Sequence, residues 1–224
     1  MIRVENVSHR LGERLALDGI SVSLAEQRVG VIGANGSGKS TFARLLNGLI
    51  VPDDGTVTVD GLSTSREARE VRRKVGFVFT DPDAQIVMPT VGEDVAFGLR
   101  GSGLPKPEIA RRVAEVLGRF GLGGFHDRPA HLLSGGEKQL LALCSVLITE
   151  PAVLVCDEPT TLLDLRNARL IGHLLGSLPQ RLVLVTHDLA VLADFDRVLV
   201  FDGGRLVTDD GPAGAVAYYR ALMG

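Results

Sequence analysis

Apolar and polar positions alternate along the first part of the chain and then shift to helical spacing. Val4 and Val7, followed by Ile20, Val22 and Leu24, fall on one face of extended segments and predict antiparallel strands. Val29, Val31 and Ile32 form a short unbroken apolar run, the mark of a buried strand. Directly after it, Phe42, Leu45, Leu46 and Leu49 recur at helical spacing, so a helix is expected through Leu49. Pro52-Asp53-Asp54-Gly55 reads as a turn, Val57 and Val59 alternate with threonines, and Asp60-Gly61 closes that strand. A charged helix over 66–73 then leads to a core strand carrying Val75, Phe77 and Phe79.

Beyond Thr80 the pattern becomes helical. Gly101 to Pro107 is rich in chain breakers, after which Ile109, Val113, Val116, Leu117 and Phe120 share one helix face, with Glu108, Arg111, Arg112, Glu115 and Arg119 on the other. Gly121 to Gly124 ends this helix, and Leu140 to Ile148 predicts another, packed one. From Ala152 strands and helices alternate: strand 153–156, helix 165–178, strand 182–185, a short helix after Asp188, strand 197–201, a hairpin turn at Asp202 to Arg205 and a closing helix over 213–223. This rhythm implies a mainly parallel sheet covered on both faces. The expected organisation is a single domain: an α/β core of about 1–80 and 151–224, interrupted by a helical subdomain of about 81–150.

Composition narrows the function classes. The chain has 224 residues, 45% of them hydrophobic, and a net charge of −3, without the basic excess of a nucleic-acid binder. No apolar run approaches the ~18 residues of a membrane span. The first residues lack the basic and apolar regions of a secretory signal, so a membrane role would come from docking onto a partner. Cys144 and Cys156 lack the paired spacing of a zinc site and read as buried, reduced thiols.

The chemistry begins at Gly33-Ala34-Asn35-Gly36-Ser37-Gly38-Lys39-Ser40-Thr41, which fits the G-x-x-x-x-G-K-[ST] phosphate-binding loop between a strand and a helix. Glycines let the backbone approach a triphosphate, and the first helical amides, at the positive end of the helix dipole, have no intrahelical partner. Asn35 to Thr41 therefore bind the phosphates, with Lys39 reaching the β- and γ-groups and Ser40 a Mg²⁺ ion. Val153 to Cys156 is a buried strand ending in Asp157-Glu158, and ligands of open parallel sheets bind at the carboxyl ends of strands. Asp157 suits a Mg²⁺ role, as in P-loop NTPases, and Glu158 can orient and deprotonate the attacking water. Thr186-His187-Asp188 ends the next strand, placing His187 at the same edge, where it can bond a γ-phosphate or hold the water.

Leu133-Ser134-Gly135-Gly136-Glu137-Lys138-Gln139 is a second small-residue helix start, with Ser134 a natural N-cap and free amides behind it. This Ser-Gly-Gly-x-x-Gln stretch resembles the signature of the ATP-binding cassette (ABC) ATPases, and the resemblance covers essentially the whole chain. It implies an α/β fold: a P-loop NTPase (RecA-like) core with an N-terminal antiparallel β layer and an inserted helical subdomain. It also implies ATP and Mg²⁺ as cofactors. Family members dimerise head to tail, as homodimers or with a paralogous ATPase. The resemblance thus implies that Ser134, Gly135 and Gly136 contact the γ-phosphate bound by the other subunit, that Asp164 in Thr160-Thr161-Leu162-Leu163-Asp164 reaches across the interface, and that His187 is the switch histidine.

Two positions depart from the family pattern. Thr80 stands where the family carries a glutamine that touches Mg²⁺ or the water, and its shorter side chain leaves it a role through a bridging water or none. Leu11 stands where an aromatic normally stacks on adenine, with His9 nearby, so weaker adenine recognition is expected beside ordinary phosphate binding. Phe79-Thr80-Asp81-Pro82-Asp83-Ala84-Gln85 and Pro89-Thr90-Val91-Gly92-Glu93-Asp94 look like the ATPase subunits of energy-coupling factor (ECF) importers for vitamins and metal ions. Such subunits seat the coupling helices of a transmembrane protein beside this segment, making Asp81, Asp83 and Gln85 the expected contacts; a substrate-binding membrane subunit is engaged indirectly. Thr80 together with Thr161 to Asn167 most resembles the biotin branch, with the cobalt or nickel branch next. A peripheral ATPase at the cytoplasmic face of the membrane follows, with no nucleic-acid partner. The chain lacks the long coiled-coil insertion and the second cassette of ABC proteins in chromosome maintenance and translation. A nucleotide-sensing regulatory subunit with little turnover is the other alternative, suggested by Thr80 and Leu11.

Overall fold

The structure, a computed structural model, describes residues 1–224. In chain order the elements are β1 (Ile2–Leu11), β2 (Arg14–Leu24), β3 (Arg28–Gly33), α1 (Lys39–Leu46), β4 (Asp54–Val59), β5 (Leu62–Ser63), α2 (Ala68–Lys74), β6 (Val75–Val78), α3 (Val91–Phe97), α4 (Lys106–Arg119), α5 (Gly135–Leu147), β7 (Val153–Asp157), α6 (Leu165–Ser177), β8 (Arg181–Val185), β9 (Arg197–Asp202), β10 (Arg205–Asp210) and α7 (Pro212–Met223). They fall into two compact units: Met1–Val75 with Ala152–Glu158 and Pro179–Gly224, and Gly76–Pro151 with Pro159–Leu178. The second unit thus includes α6, a helix whose periodicity alone does not distinguish it from the helices of the α/β core.

The first unit contains two sheets. An antiparallel layer orders its strands β2-β1-β4-β5, with Val4 opposite Val22 and Val57. Alternation along these strands buries Ile2, Val4, Ile20, Val22, Val57 and Val59 and leaves the intervening polar residues outside. The core sheet runs β10-β9-β3-β8-β7 through this unit, parallel apart from the β9–β10 hairpin. Its central strands are apolar on both faces, as parallel strands covered by helices must be: Val29, Val31 and Ile32, like Leu154 and Val155, are fully buried.

The register aligns the chemistry. Val31 pairs with Val185, and Val185 with Asp157, so the three chains leave the sheet at one carboxyl edge. Thr186 N donates to Val31 O and Glu158 N to Val185 O, extending the ladder one step past the strand ends. The P-loop, Asp157-Glu158 and Thr186-His187 therefore share that edge.

Helix α1 is shorter than its apolar spacing predicts. It stops at Leu46 because Gly48 adopts a positive φ of 69°, and Leu49 lies outside it, 41% exposed. Helix α2 begins at Ala68 instead of Arg66. Strand β6 ends at Val78 and is buried on both faces, so Phe79 falls beyond it. The segment after Asp188 is a 3₁₀ turn over Leu189–Asp194, opened by the Asp188 side chain accepting from Ala190 N.

In the second unit, helices α3, α4 and α5 pack together through Val91, Val95, Val113, Leu117, Leu141 and Leu143, all at or below 1% exposure. Thr90 and Glu93 cap α3 reciprocally, as Ser134 and Glu137 cap α5. Cys144 and Cys156 are free, buried thiols, and burial raises both pKa values, to about 12 for Cys144.

Candidate functional site: the sheet edge and phosphate loop

Strand β3 delivers the chain into the loop 33–38, which only glycine allows to close. Gly33 has φ 151°, and a Cβ there would stand 2.1 Å from the Phe201 carbonyl oxygen of β9; Gly38 has φ 105°, and a Cβ there would stand 2.5 Å from the Ala16 carbonyl oxygen. The hairpin turn supports the loop from outside, since Gly204 N donates to Ser37 O. Phe42 of α1 packs on Phe201 with ring centroids 4.9 Å apart, fixing the helix under the loop.

Lys39 is 4% exposed, and its Nζ donates to the carbonyls of Gly33 and Ala34 at 2.9 Å each. Burial lowers its pKa, against the attraction of Glu158 and Asp157. Asp157 is 1% exposed; its Oδ1 accepts from Ser40 Oγ at 2.8 Å and its Oδ2 lies 3.9 Å from Arg44. Burial raises its pKa, opposed by the Ser40 hydrogen bond and the Arg44 charge. Glu158 carries φ 50°, a left-handed conformation unusual for a glutamate, and its Oε1 lies 2.8 Å from His187 Nε2. The register, the loop closure and this strained turn converge on one edge.

A cavity of about 330 Å³ opens beside these groups. Asn35, Gly36, Gly38, Lys39, Ser40 and Thr41 of the loop and α1 line it, together with Glu158. Leu11, Arg14 and Ala16 of the β1–β2 hairpin line it as well. Leu11, 56% exposed, lies where the family pattern has an aromatic and the sequence predicts none. Arg14 was absent from that expectation: it lies on a strand with no motif, and only the folding of the hairpin against the loop reveals it.

The remaining residues predicted from the sequence belong to the second unit. Ser134 caps α5: its Oγ accepts from Glu137 N at 3.4 Å, and Glu137 Oε2 accepts from Ser134 N at 2.7 Å. That backbone bond is the main cause of Glu137's lowered pKa. Gly136 faces Asn167, where a Cβ would approach the amide carbon to 2.6 Å. Asp164 caps α6, accepting from Asn167 N and Asn167 Nδ2 at 2.9 Å each. Gly135 is the first residue of α5, and Thr80 sits half-buried in the bend after β6. Asp81 Oδ1 accepts from Asp83 N at 2.9 Å, and Asp83 pairs with Lys138 at 2.7 Å. Gln85, in the same segment, has its Oε1 accepting from Phe79 N at 3.2 Å and its Nε2 donating to Ala142 O at 3.0 Å, so it ties the segment to α5.

The profile of the ABC transporter family matches residues 17–161. The chain belongs to the ABC transporter ATPase family. This ABC ATPase is 49% identical over 221 residues to the biotin transport ATP-binding protein BioM of Rhizobium etli, covering 99% of this chain and 98% of that one. It is 44% identical to the cobalt import ATP-binding protein CbiO of Syntrophus aciditrophicus, covering 89% and 74%. It is 41% identical to the energy-coupling factor transporter ATP-binding protein EcfA1 of Latilactobacillus sakei, covering 94% and 77%. These relatives place it among the ECF-type ATPases.

Its fold matches cbiO1 of Clostridium perfringens, described as part of the ABC transporter complex cbiONQ, with a TM-score of 0.85 at 33% identity, covering 99% and 92% of the two chains. It also matches the cassette MJ0796, solved as a dimer bound to ADP and phosphate, with a TM-score of 0.82 at 29% identity, covering 95% and 99%. The RecA-like core, antiparallel layer and helical insertion are thus those of an ABC cassette. As an ABC ATPase it binds and hydrolyses ATP. No helix is long and apolar enough to cross a membrane.

Proposed function

We propose that this ABC ATPase energises an ECF-type importer whose cargo is biotin, acting as a peripheral subunit at the cytoplasmic face of the membrane. The observation that carries the hydrolytic part is the Glu158 carboxylate, fixed by a left-handed backbone and by His187 at the edge where the P-loop begins. In this reading Lys39 leaves the Gly33 and Ala34 carbonyls for the β- and γ-phosphates, and the amides of Asn35 to Thr41 bind the remaining oxygens. Glu158 accepts a proton from the attacking water while His187 holds the carboxylate in place. The ordering of that water by a fixed acceptor is what the strained turn at Glu158 provides.

Ser40 and Asp157 fit Mg²⁺, which takes hard oxygen donors from one or two side chains and leaves the rest of its shell to phosphates and water. Their 2.8 Å hydrogen bond brings two such donors together, and Asp157 is buried enough to welcome a cation. When bound, the ion neutralises charge on the phosphates.

Ser134, Gly135, Gly136 and Asp164 carry the roles implied by the family resemblance, completing the ATP site of a second subunit in a head-to-tail dimer, and Thr80 keeps a water-mediated role. The transmembrane partner docks on the second unit, at a groove of about 420 Å³ between Met88, Phe97, Leu99 and Leu104 and at the Asp81, Asp83 and Gln85 segment that the family resemblance implies. Biotin is supported by Thr80, by Thr161 to Asn167 and by the BioM relative; the cobalt-import relative supports the second reading. Glu158→Gln is expected to retain ATP binding, lose turnover and trap an ATP-dependent dimer; undiminished turnover would overturn the assignment. Uptake of labelled biotin and of cobalt by cells carrying the wild-type chain with its co-purifying membrane proteins separates the two cargoes.

A further inference from the structure

The cavity beside the P-loop has no aromatic ring on the wall formed by Leu11, Arg14 and Ala16. Arg14 is the one planar, charged side chain of that wall, and no carboxylate pairs with it. Its guanidinium is held by the loop itself: Nη2 donates to the Gly36 carbonyl, and the group lies so near Gly36 that a Cβ there would meet Nη2 at 3.0 Å and Nη1 at 3.3 Å. That bond anchors one end of the guanidinium, and the rest of the exposed side chain, its flat face included, is open to a ligand.

We propose that the face of Arg14 is the platform on which the purine ring of ATP stacks, replacing the aromatic that Leu11 displaces. This rests on the ATP-binding reading of the same cavity. With the triphosphate on Lys39 and the first amides of α1, the nucleoside end extends along the hairpin wall, where Leu11 supplies apolar contact and Arg14 the only π-stacking surface. Arginine stacks on aromatic faces, while lysine is a compact, strongly hydrated point charge. A guanidinium pinned to a loop carbonyl has already lost much of the rotamer freedom that stacking would otherwise remove. Gly36, whose φ of 76° favours glycine, also leaves room for the guanidinium, which a Cβ there would crowd by a few tenths of an ångström.

The test is calorimetric binding of MgATP and of inorganic tripolyphosphate to the full chain and to Arg14→Ala, Arg14→Lys and Arg14→Tyr. Arg14→Ala and Arg14→Lys are expected to weaken MgATP about tenfold, the scale of losing one base-stacking surface, and Arg14→Tyr to recover most of it. Tripolyphosphate affinity is expected to stay unchanged in all three, which also reports that the loop is folded. An equal loss for tripolyphosphate would overturn the proposal, since Arg14 would then act on the phosphates or the loop. Wild-type MgATP affinity in Arg14→Ala or Arg14→Lys would overturn it as well. Failure of the wild-type chain to bind MgATP would instead overturn the ATP-binding reading itself.

Discussion

The Nε2 atom of His187 lies 2.8 Å from Oε1 of Glu158, and the two residues leave adjacent strands of one sheet, β8 and β7. Glu158 lines the cavity beside the P-loop, and in the proposed mechanism the histidine acts through that carboxylate. His187→Ala is expected to lower kcat by about 10² to 10⁴-fold, the scale of general-base effects. ATP affinity should stay within about twofold of wild type, a split that a collapsed site would not produce. Steady-state kinetics beside equilibrium ATP binding measures both.

Asp157 bears a cost in the fold, one that its proposed Mg²⁺ role accounts for. Burial raises its pKa, so the folded state disfavours the carboxylate relative to the unfolded chain. That penalty is present at pH values above the raised folded pKa and disappears as pH falls through it. Asp157→Asn is therefore expected to raise Tm at pH 7 to 8, with the difference from wild type closing toward pH 4. ATP turnover should be lost in the same variant. Scanning calorimetry across pH, with an ATPase assay, reads both effects.

Asp94 is 3% exposed and holds the start of the helical unit together. Its Oδ1 accepts from Val87 N at 2.8 Å and Met88 N at 3.0 Å, and its Oδ2 from Ser145 Oγ at 2.7 Å. Asp94→Ala strands these donors and is expected to cost about 3 kcal/mol in urea unfolding, against about 1 kcal/mol for Ser145→Ala.

Ser134 closes a reciprocal cap with Glu137. Its replacement by alanine is expected to cost about 1 kcal/mol of stability by denaturant titration. A fall in turnover much larger than that cost explains would mark the contact with ATP that the family resemblance implies for Ser134.

The motifs that were legible in the sequence are those whose chemistry is local. Gly33 to Thr41 and Asp157-Glu158 need only their own spacing and a neighbouring apolar strand to be read, and the alternation of apolar runs was enough to give the layered α/β core. Arg14, Asp94 and Gln85 escaped because their partners are remote in sequence: Gly36, Ser145 and Ala142 become neighbours only when a hairpin folds on a loop or a segment crosses α5. Gln85 is the instructive case, since an amide that looks available for recognition has both ends engaged by backbone. The early end of α1 was hidden for a different reason: Leu49 keeps the helical spacing, while Gly48 has already turned the backbone.

Gly136 and Asn167 touch so closely that position 136 admits no side chain unless Asn167 shifts. Asn167 is also the residue that the Asp164 carboxylate holds. The start of α5 and the start of α6 thereby meet through the Asn167 side chain. Bulk introduced at Gly136 is therefore expected to push on Asn167 and so disturb the Asp164 cap without touching Asp164.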